Sequence, residues 1–229
     1  MRASWRTSDP GNAAAGRRIL TTTARGRGLV LAVVGPDGSG KTTVADALAR
    51  ALPAPVRRLH HRPQILPAKT NYEGRVVTEP HADPLYGRGA SLLKVVYLYC
   101  DWIAGWFLHI RPLRARGGSV VIERGWWDVI VDQRRYRLDT PPALLHRLGR
   151  LLPRPDVTVV MTGTPSVLYA RKAELPETEL ARQIQAWSTL PAGFVRPLYV
   201  DSDVPLDEVL ATLEQQLRSR GWPIRPLRG

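Results

Sequence analysis

The sequence predicts a three-layer α/β fold, a five-stranded parallel sheet with helices on both faces. Short apolar runs rich in β-branched residues recur along the chain, stretches with helical spacing separate them, and Gly- or Pro-containing breaks punctuate the series. Strands that alternate with helices favour parallel pairing, because each return to the same edge of a sheet needs a crossover.

The first strand is the continuous apolar run 29–34, and a helix follows over 43–52 with apolar residues at helical spacing. Pro53 and Pro55 end that helix, since proline lacks the N–H that continues it. Residues 56–61 read as the second strand, closed by Arg62-Pro63. The stretch 64–88 is rich in Pro, Gly and polar residues and is predicted to be a long loop, a length often associated with function. A long helix spans 89–114 and stops near Gly117-Gly118. The third strand is 119–122, and it runs into Glu123-Arg124. Residues 126–137 are read as partly helical, 141–152 as a helix with proline in its first turn, and 156–161 as the fourth strand. Two helices at 165–172 and 176–190, a fifth strand at 197–201 and a closing helix at 206–217 complete the series.

A chain of 229 residues with 44% hydrophobic content can bury one substantial core. The predicted organisation is a disordered basic tail at 1–28, one domain at 29–217 and a basic tail at 218–229. The formal charge of +13 is concentrated in those ends, which carry six and four arginines, so the body keeps only +4. That is ordinary for an enzyme handling phosphates, and no nucleic-acid partner is expected. The most apolar stretch, 92–110, is interrupted by Lys94, Asp101 and His109, so it is expected to be a buried helix with no transmembrane segment. Arg17-Arg18 do not make an export signal, because Arg25 and Arg27 break the apolar region one requires. The single cysteine, Cys100, excludes an internal disulfide and is expected to be a buried thiol in a reducing compartment. No Cys/His cluster with metal-ligand spacing is evident, and His60 and His61 on one strand point to opposite faces.

The chemistry is carried by residues 35–42, GPDGSGKT, a complete G-x-x-x-x-G-K-[ST] loop between the first strand and the first helix. Glycines at Gly35, Gly38 and Gly40 let backbone N–H groups turn inward around phosphate oxygens. Lys41 supplies a charge for the β- and γ-phosphates, and Thr42 offers its hydroxyl to Mg²⁺. ATP and Mg²⁺ are therefore the expected cofactors. Glu123, a carboxylate ending an apolar strand, is the candidate second metal residue beside Thr42. Arg124 has the planar fork to bridge donor and acceptor phosphates.

Residues 35–43 closely resemble the phosphate loop of the thymidylate kinases, with Asp37 in third position and Ser39 and Thr43 completing the nucleotide-binding set. That family has an Asp-Arg-Tyr segment at the end of its third strand and a glutamine eight residues past the tyrosine. Here Glu123, Arg124 and Gly125 stand in the segment and Gln133 falls in register. The resemblance covers most of 29–217 and implies a P-loop kinase fold of a divergent member.

By the same resemblance, Arg62 stands one position from the family's phosphate-binding arginine, and Arg171 occupies the place of a lid arginine that closes over the transferring group. The run 132–137, DQRRYR, is similar to a divergent thymidylate kinase-like group and makes Arg135 and Tyr136 acceptor-binding candidates. The implied catalytic set is Lys41, Glu123, Arg124 and Arg171. The implied activity is ATP-dependent transfer to a small phosphorylated acceptor, dTMP or another nucleoside monophosphate by default, in a cytoplasmic enzyme that forms a homodimer. Two alternatives stay open: a kinase of a sugar-like metabolite, suggested by Gly125 and the Arg134-Arg135 pair, and an ATP-binding switch acting through the basic ends.

Overall fold

The computed structural model describes residues 28–53, 55–67, 81–190, 197–222 and 224–228. Five strands form one parallel sheet: β1 (Val30–Val34), β2 (Val56–His60), β3 (Ser119–Glu123), β4 (Val157–Thr162) and β5 (Pro197–Asp201), in the order β2-β3-β1-β4-β5. The helices are α1 (Lys41–Ala51), α2 (Arg88–Gly105), α3 (Arg111–Ala115), α4 (Trp126–Val131), α5 (Pro142–Leu151), α6 (Pro165–Arg171), α7 (Glu177–Thr189) and α8 (Leu206–Ser219). The expected fold class is the observed one, with strand boundaries within a residue or two of the expected ones.

Every residue of β1 and β3 is buried, as a sheet covered on both faces requires. Alternate residues divide between the layers. Leu31 and Val33 pack with Val44 and Leu48 of α1 and with Leu210, Leu213 and Leu217 of α8. Val30 and Ala32 face the other way with Leu59, Ile110 and Ile122, and Val34 joins Trp126, Trp127, Leu145 and Trp187. Truncating a fully buried leucine such as Leu213 costs about 2–5 kcal/mol by lost transfer energy and the cavity left behind.

β1 pairs with both β3 and β4, and the β1–β3 register sets Val33 opposite Glu123. The order of strands reverses around β1, so a crevice opens at the carboxyl ends of β1, β3 and β4. The loop after β1 and the Glu123-Arg124 pair are delivered to that same crevice.

Three expectations are corrected. The helix beginning at Arg88 is not buried on most sides. Leu92, Leu93, Val96, Phe107 and Leu108 are exposed, and by length and composition Arg88–Ala115 is apolar enough to cross a membrane. Two of its charged groups are nonetheless turned to protein, with Asp101 fully buried and Lys94 Nζ donating to the Tyr136 carbonyl at 2.8 Å. The helix also passes through a π turn at Trp106–Ile110 before α3. Cys100 lies on the exposed side of α2. The basic C-terminal segment is no free tail: α8 runs on to Ser219, Arg225 N–H donates to the Ala51 carbonyl at 2.9 Å, and Leu227 packs into the core. The N-terminal tail expected at 1–28 lies outside the described residues but for Gly28.

Candidate active site

The loop between β1 and α1 is packed too closely at Gly35 and Gly38 to admit a side chain. Gly38 has φ 79°, and a Cβ there would stand 2.5 Å from the Leu168 carbonyl oxygen of α6. Ser39 Oγ donates to the Pro36 carbonyl at 2.7 Å, and Lys41 Nζ donates to the same oxygen at 2.5 Å. Lys41 is thus folded back over the loop. Its burial, and secondarily the Arg124 charge, pull its ammonium down to about 8 against the opposing pull of Asp37. Thr42 and Thr43 are exposed at the mouth of the site.

Glu123 is 1% exposed at the end of β3. Thr42 Oγ1 donates to its Oε1 at 2.6 Å, while Arg58 and His60 Nδ1, the latter at 3.2 Å, approach Oε2. Burial acts to raise this carboxyl, but the hydrogen bonds of His60, Thr42 and Arg58 hold it well below the usual carboxylate range. A hydroxyl and an ionised carboxylate side by side are hard oxygen donors of the kind Mg²⁺ takes, so Thr42 and Glu123 fit the ion expected at this loop. Arg58 is also paired with Asp46 of α1.

Arg124 follows Glu123 with φ 65°, a left-handed conformation rare for a side-chain-bearing residue and found often at functional sites. Its backbone N–H is tied to the Val33 carbonyl at 2.9 Å, and its guanidinium donates to Asp37 Oδ1 at 2.6 Å. Asp37 is 3% exposed, and Arg135 takes its other oxygen. Burial works to raise the Asp37 carboxyl, but Arg124, Lys41 and Arg135 outweigh it and hold it ionised. Asp128, on the first turn of α4, lies 3.8 Å from Arg124; burial pushes its carboxyl up to about 6 against the pull of Arg124 and Lys41. Arg124 Nε and Asp128 Oδ2 are buried without a hydrogen-bond partner among the described residues, which is what a site shaped for a polar ligand leaves behind.

The remaining expected residues are placed unevenly. Tyr136 is partly buried, its hydroxyl 3.3 Å from His61 Nδ1. Burial, then Arg124, lowers His61 to about 2, so that imidazole is neutral. Gln133 lines a cavity of about 710 Å³ beside α4, together with His81, Arg134, His146, Glu179 and Arg182. Arg62 does not reach out as an unpaired clamp. It pairs with buried Asp101 at 3.0 Å and donates to the Leu66 carbonyl at 3.2 Å. Arg171 donates to the Ser202 carbonyl at 2.6 Å, on the β5–α8 side.

Sequence reasoning missed Asp101, which accepts the backbone N–H groups of Gln64, Ile65 and Leu66 at 2.7–3.1 Å and so anchors the whole post-β2 loop. Gly105 makes that anchoring possible by close approach, since a Cβ there would lie 2.0 Å from Pro63 Cβ. The sequence reading also found no metal cluster, whereas the fold brings ligand atoms of His81, Asp132 and Glu179 within 4.8 Å of one another. Their lone pairs are already engaged: Arg135 and Gln183 donate to Asp132, and Arg182 and Gln183 donate to Glu179. These three residues therefore read as a hydrogen-bonded support for Arg135 and Arg182.

The parallel sheet, the loop and the acid–arginine pair at the end of β3 define the class: a P-loop phosphotransferase of the three-layer α/β type. No family model matches the chain. The comparison with curated proteins finds thymidylate kinases, among them that of Xanthomonas oryzae pv. oryzae, 28% identical over 218 residues that cover 89% of this chain and 92% of the relative. The thymidylate kinase of Xanthomonas campestris pv. campestris is 29% identical over 205 residues, covering 83% and 87%. Among solved structures, thymidylate kinase from Candida albicans superposes with a TM-score of 0.59 over 88% of this chain and 99% of that one, at 18% identity, a likeness of fold. Over most of its length the chain is similar in sequence to these thymidylate kinases and shares the fold of one of them.

Proposed function

We propose that the chain transfers the γ-phosphoryl group of ATP to the phosphate of a nucleoside monophosphate, with dTMP the first acceptor to test. The observation that carries this reading is the Thr42–Glu123 contact at 2.6 Å, which joins the phosphate loop to the strand-end carboxylate where a nucleotide-bound Mg²⁺ belongs. Mg²⁺ held by Thr42 and Glu123 would neutralise phosphate charge. Gly35 to Thr43 cradle the triphosphate, and Lys41 swings from the Pro36 carbonyl to its β- and γ-oxygens. Arg124 bridges donor and acceptor, with Arg62 fixing the post-β2 loop beside the acceptor and Tyr136 and Gln133 bounding it. Arg171 closes over the site by leaving Ser202. Positioning and electrostatics do the catalysis, since phosphoryl transfer asks little covalent chemistry of the protein.

A second reading, transfer to a sugar-like phosphorylated metabolite, is favoured by the cavity beside α4. Its described lining contains no Phe, Tyr or Trp on which a base would stack. The deciding experiment measures ADP release from ATP·Mg²⁺ with dTMP, other nucleoside monophosphates and sugar phosphates offered separately. Release with dTMP supports the first reading, and release only with a sugar phosphate supports the second. ATP binding with no acceptor-dependent release would reject both and leave an ATP-binding switch.

The exposed apolar side of α2 is the surface through which we expect two copies to pair, as the family resemblance implies. Leu93 and Leu108, at 72% and 63% exposure, stand on that side.

A further inference from the structure

The turn after α4 brings a second arginine onto the phosphate loop. Arg124 and Arg135 each take one oxygen of the Asp37 carboxylate, and Lys41 Nζ lies 3.7 Å from it. Arg135 is held from behind as firmly as from the front. Its Nε donates to Asp132 Oδ2 at 3.3 Å and its backbone N–H to Asp132 Oδ1 at 3.1 Å. Asp132 in turn is fixed by His81 Nε2 at 2.8 Å and Gln183 Nε2 at 3.2 Å. The guanidinium is therefore pre-oriented between two buried carboxylates, with its fork toward the loop.

Two other arginines that flank the site are engaged elsewhere: Arg171 with the Ser202 carbonyl, Arg182 with Glu179 and the Val131 carbonyl. Three cations converging on one loop carboxylate mark the place where negative charge is to be received. A transferring phosphoryl group spreads its charge over three equatorial oxygens, and a planar fork can bond two of them where an ammonium meets them as a point.

We propose that Arg135 is a catalytic cation of the transfer, passing from Asp37 to the transferring phosphoryl group, and that Asp132, His81 and Gln183 are its positioning residues. The inference rests on the phosphoryl-transfer reading above. In the step, an acceptor oxygen bonds to the γ-phosphorus as the bond from that phosphorus to the β–γ bridging oxygen breaks. The electron pair leaves with ADP, and Arg135 keeps its protons throughout. Preorganised donors of this kind contribute about 10²–10³ in rate.

The test compares wild type with Arg135→Ala, Arg135→Lys and His81→Ala, by acceptor-dependent ADP release and by calorimetric binding of ADP with and without aluminium fluoride, a mimic of the transferring group. Arg135→Ala is expected to lower kcat by about 100-fold or more, with ADP affinity within about threefold, the unchanged ADP affinity also reporting an intact fold. Arg135→Lys, which keeps the charge and loses the fork, should recover only a small part of kcat. Added guanidinium ion at millimolar concentration should restore part of the alanine variant's rate. His81→Ala should lower kcat by about tenfold while the KM for ATP stays put. Retention of kcat within threefold in Arg135→Ala, with aluminium fluoride still tightening ADP binding, would overturn the inference. If none of the acceptors offered elicits ADP release from wild type, the phosphoryl-transfer reading is what falls. Arg135 is then judged by aluminium fluoride alone: loss of its tightening effect in Arg135→Ala upholds the role, and its persistence removes it.

Discussion

Thr42 donates its hydroxyl to Glu123 Oε1 at 2.6 Å across 81 residues of sequence, joining the first residue past the loop lysine to the last residue of β3. The β1–β3 register sets this geometry, because Val33 lies opposite Glu123 and the loop leaves β1 one residue later. Glu123 is ionised there with its pKa held below the usual range, so its sign can be read from pH. Its contribution to stability is complete above the ordinary carboxylate pKa and is lost as pH falls through the lowered folded value. Glu123→Gln should therefore be less stable than wild type at pH 7 in urea titrations, with the gap narrowing toward pH 3. The same variant should need about tenfold more Mg²⁺ for half-maximal rate, from the lost charge. A gap that widens on acidification would contradict the assigned ion pairing.

Lys41→Ala removes the mobile charge and leaves Asp37 still paired with Arg124 and Arg135. The expected outcome is a fall in kcat of at least about 100-fold with a cooperative unfolding transition retained. Phosphoryl transfer surviving in this variant would sink the assignment of the loop.

Asp101 accepts three backbone N–H groups and forms an ion pair with the Arg62 guanidinium while fully buried. Asp101→Ala strands the three backbone donors and leaves the Arg62 guanidinium only the Leu66 carbonyl. Breaking a buried, hydrogen-bonded pair in this way costs about 3–5 kcal/mol, readable as a shift of the urea midpoint. Because the freed segment carries Arg62, the KM for the acceptor should rise more than the KM for ATP. Equal effects on both would mean that the post-β2 loop has no part in acceptor binding.

Leu93 and Leu108 sit on the uncovered apolar side of α2 and its π-turn extension. If two copies pair there, Leu93→Glu with Leu108→Glu should convert a dimer to a monomer by light scattering and leave the unfolding midpoint of the monomer little changed. A wild type that is monomeric at all concentrations would exclude the pairing.

The sheet and the loop were legible because their signals are local. An apolar run, a glycine-spaced lysine and a helical period lie within 24 residues of one another, and the same patterns recur for each later strand. Glu123 and Arg124 were legible as a strand end. What stayed hidden was tertiary. Asp101 looked like a charge interrupting an apolar helix, and only the fold places it under the 64–66 loop. Arg58 read only as one residue of the second strand, although β2–β3 pairing brings it to Glu123. Burial of 92–110 was overestimated for the same reason: composition reports apolar residues without saying which side a sheet will cover.

Lys41 yields the sharpest solution signature. With its ammonium lowered to about 8 by burial and by Arg124, it is partly unprotonated in the empty site at pH 8. A triphosphate brought against it favours the charged form and raises that value, so ATP binding near pH 8 should take up roughly half a proton. Calorimetry in two buffers of different ionisation enthalpy measures this directly, because the apparent binding heats must then differ. The Lys41 contribution should fade below pH 7, where its ammonium is already protonated, and the uptake at pH 8 should be absent in Lys41→Met. Buffer-independent heats at pH 8 in wild type would mean that the Lys41 ammonium is not depressed in the empty loop, and that Asp37 alone sets its charge.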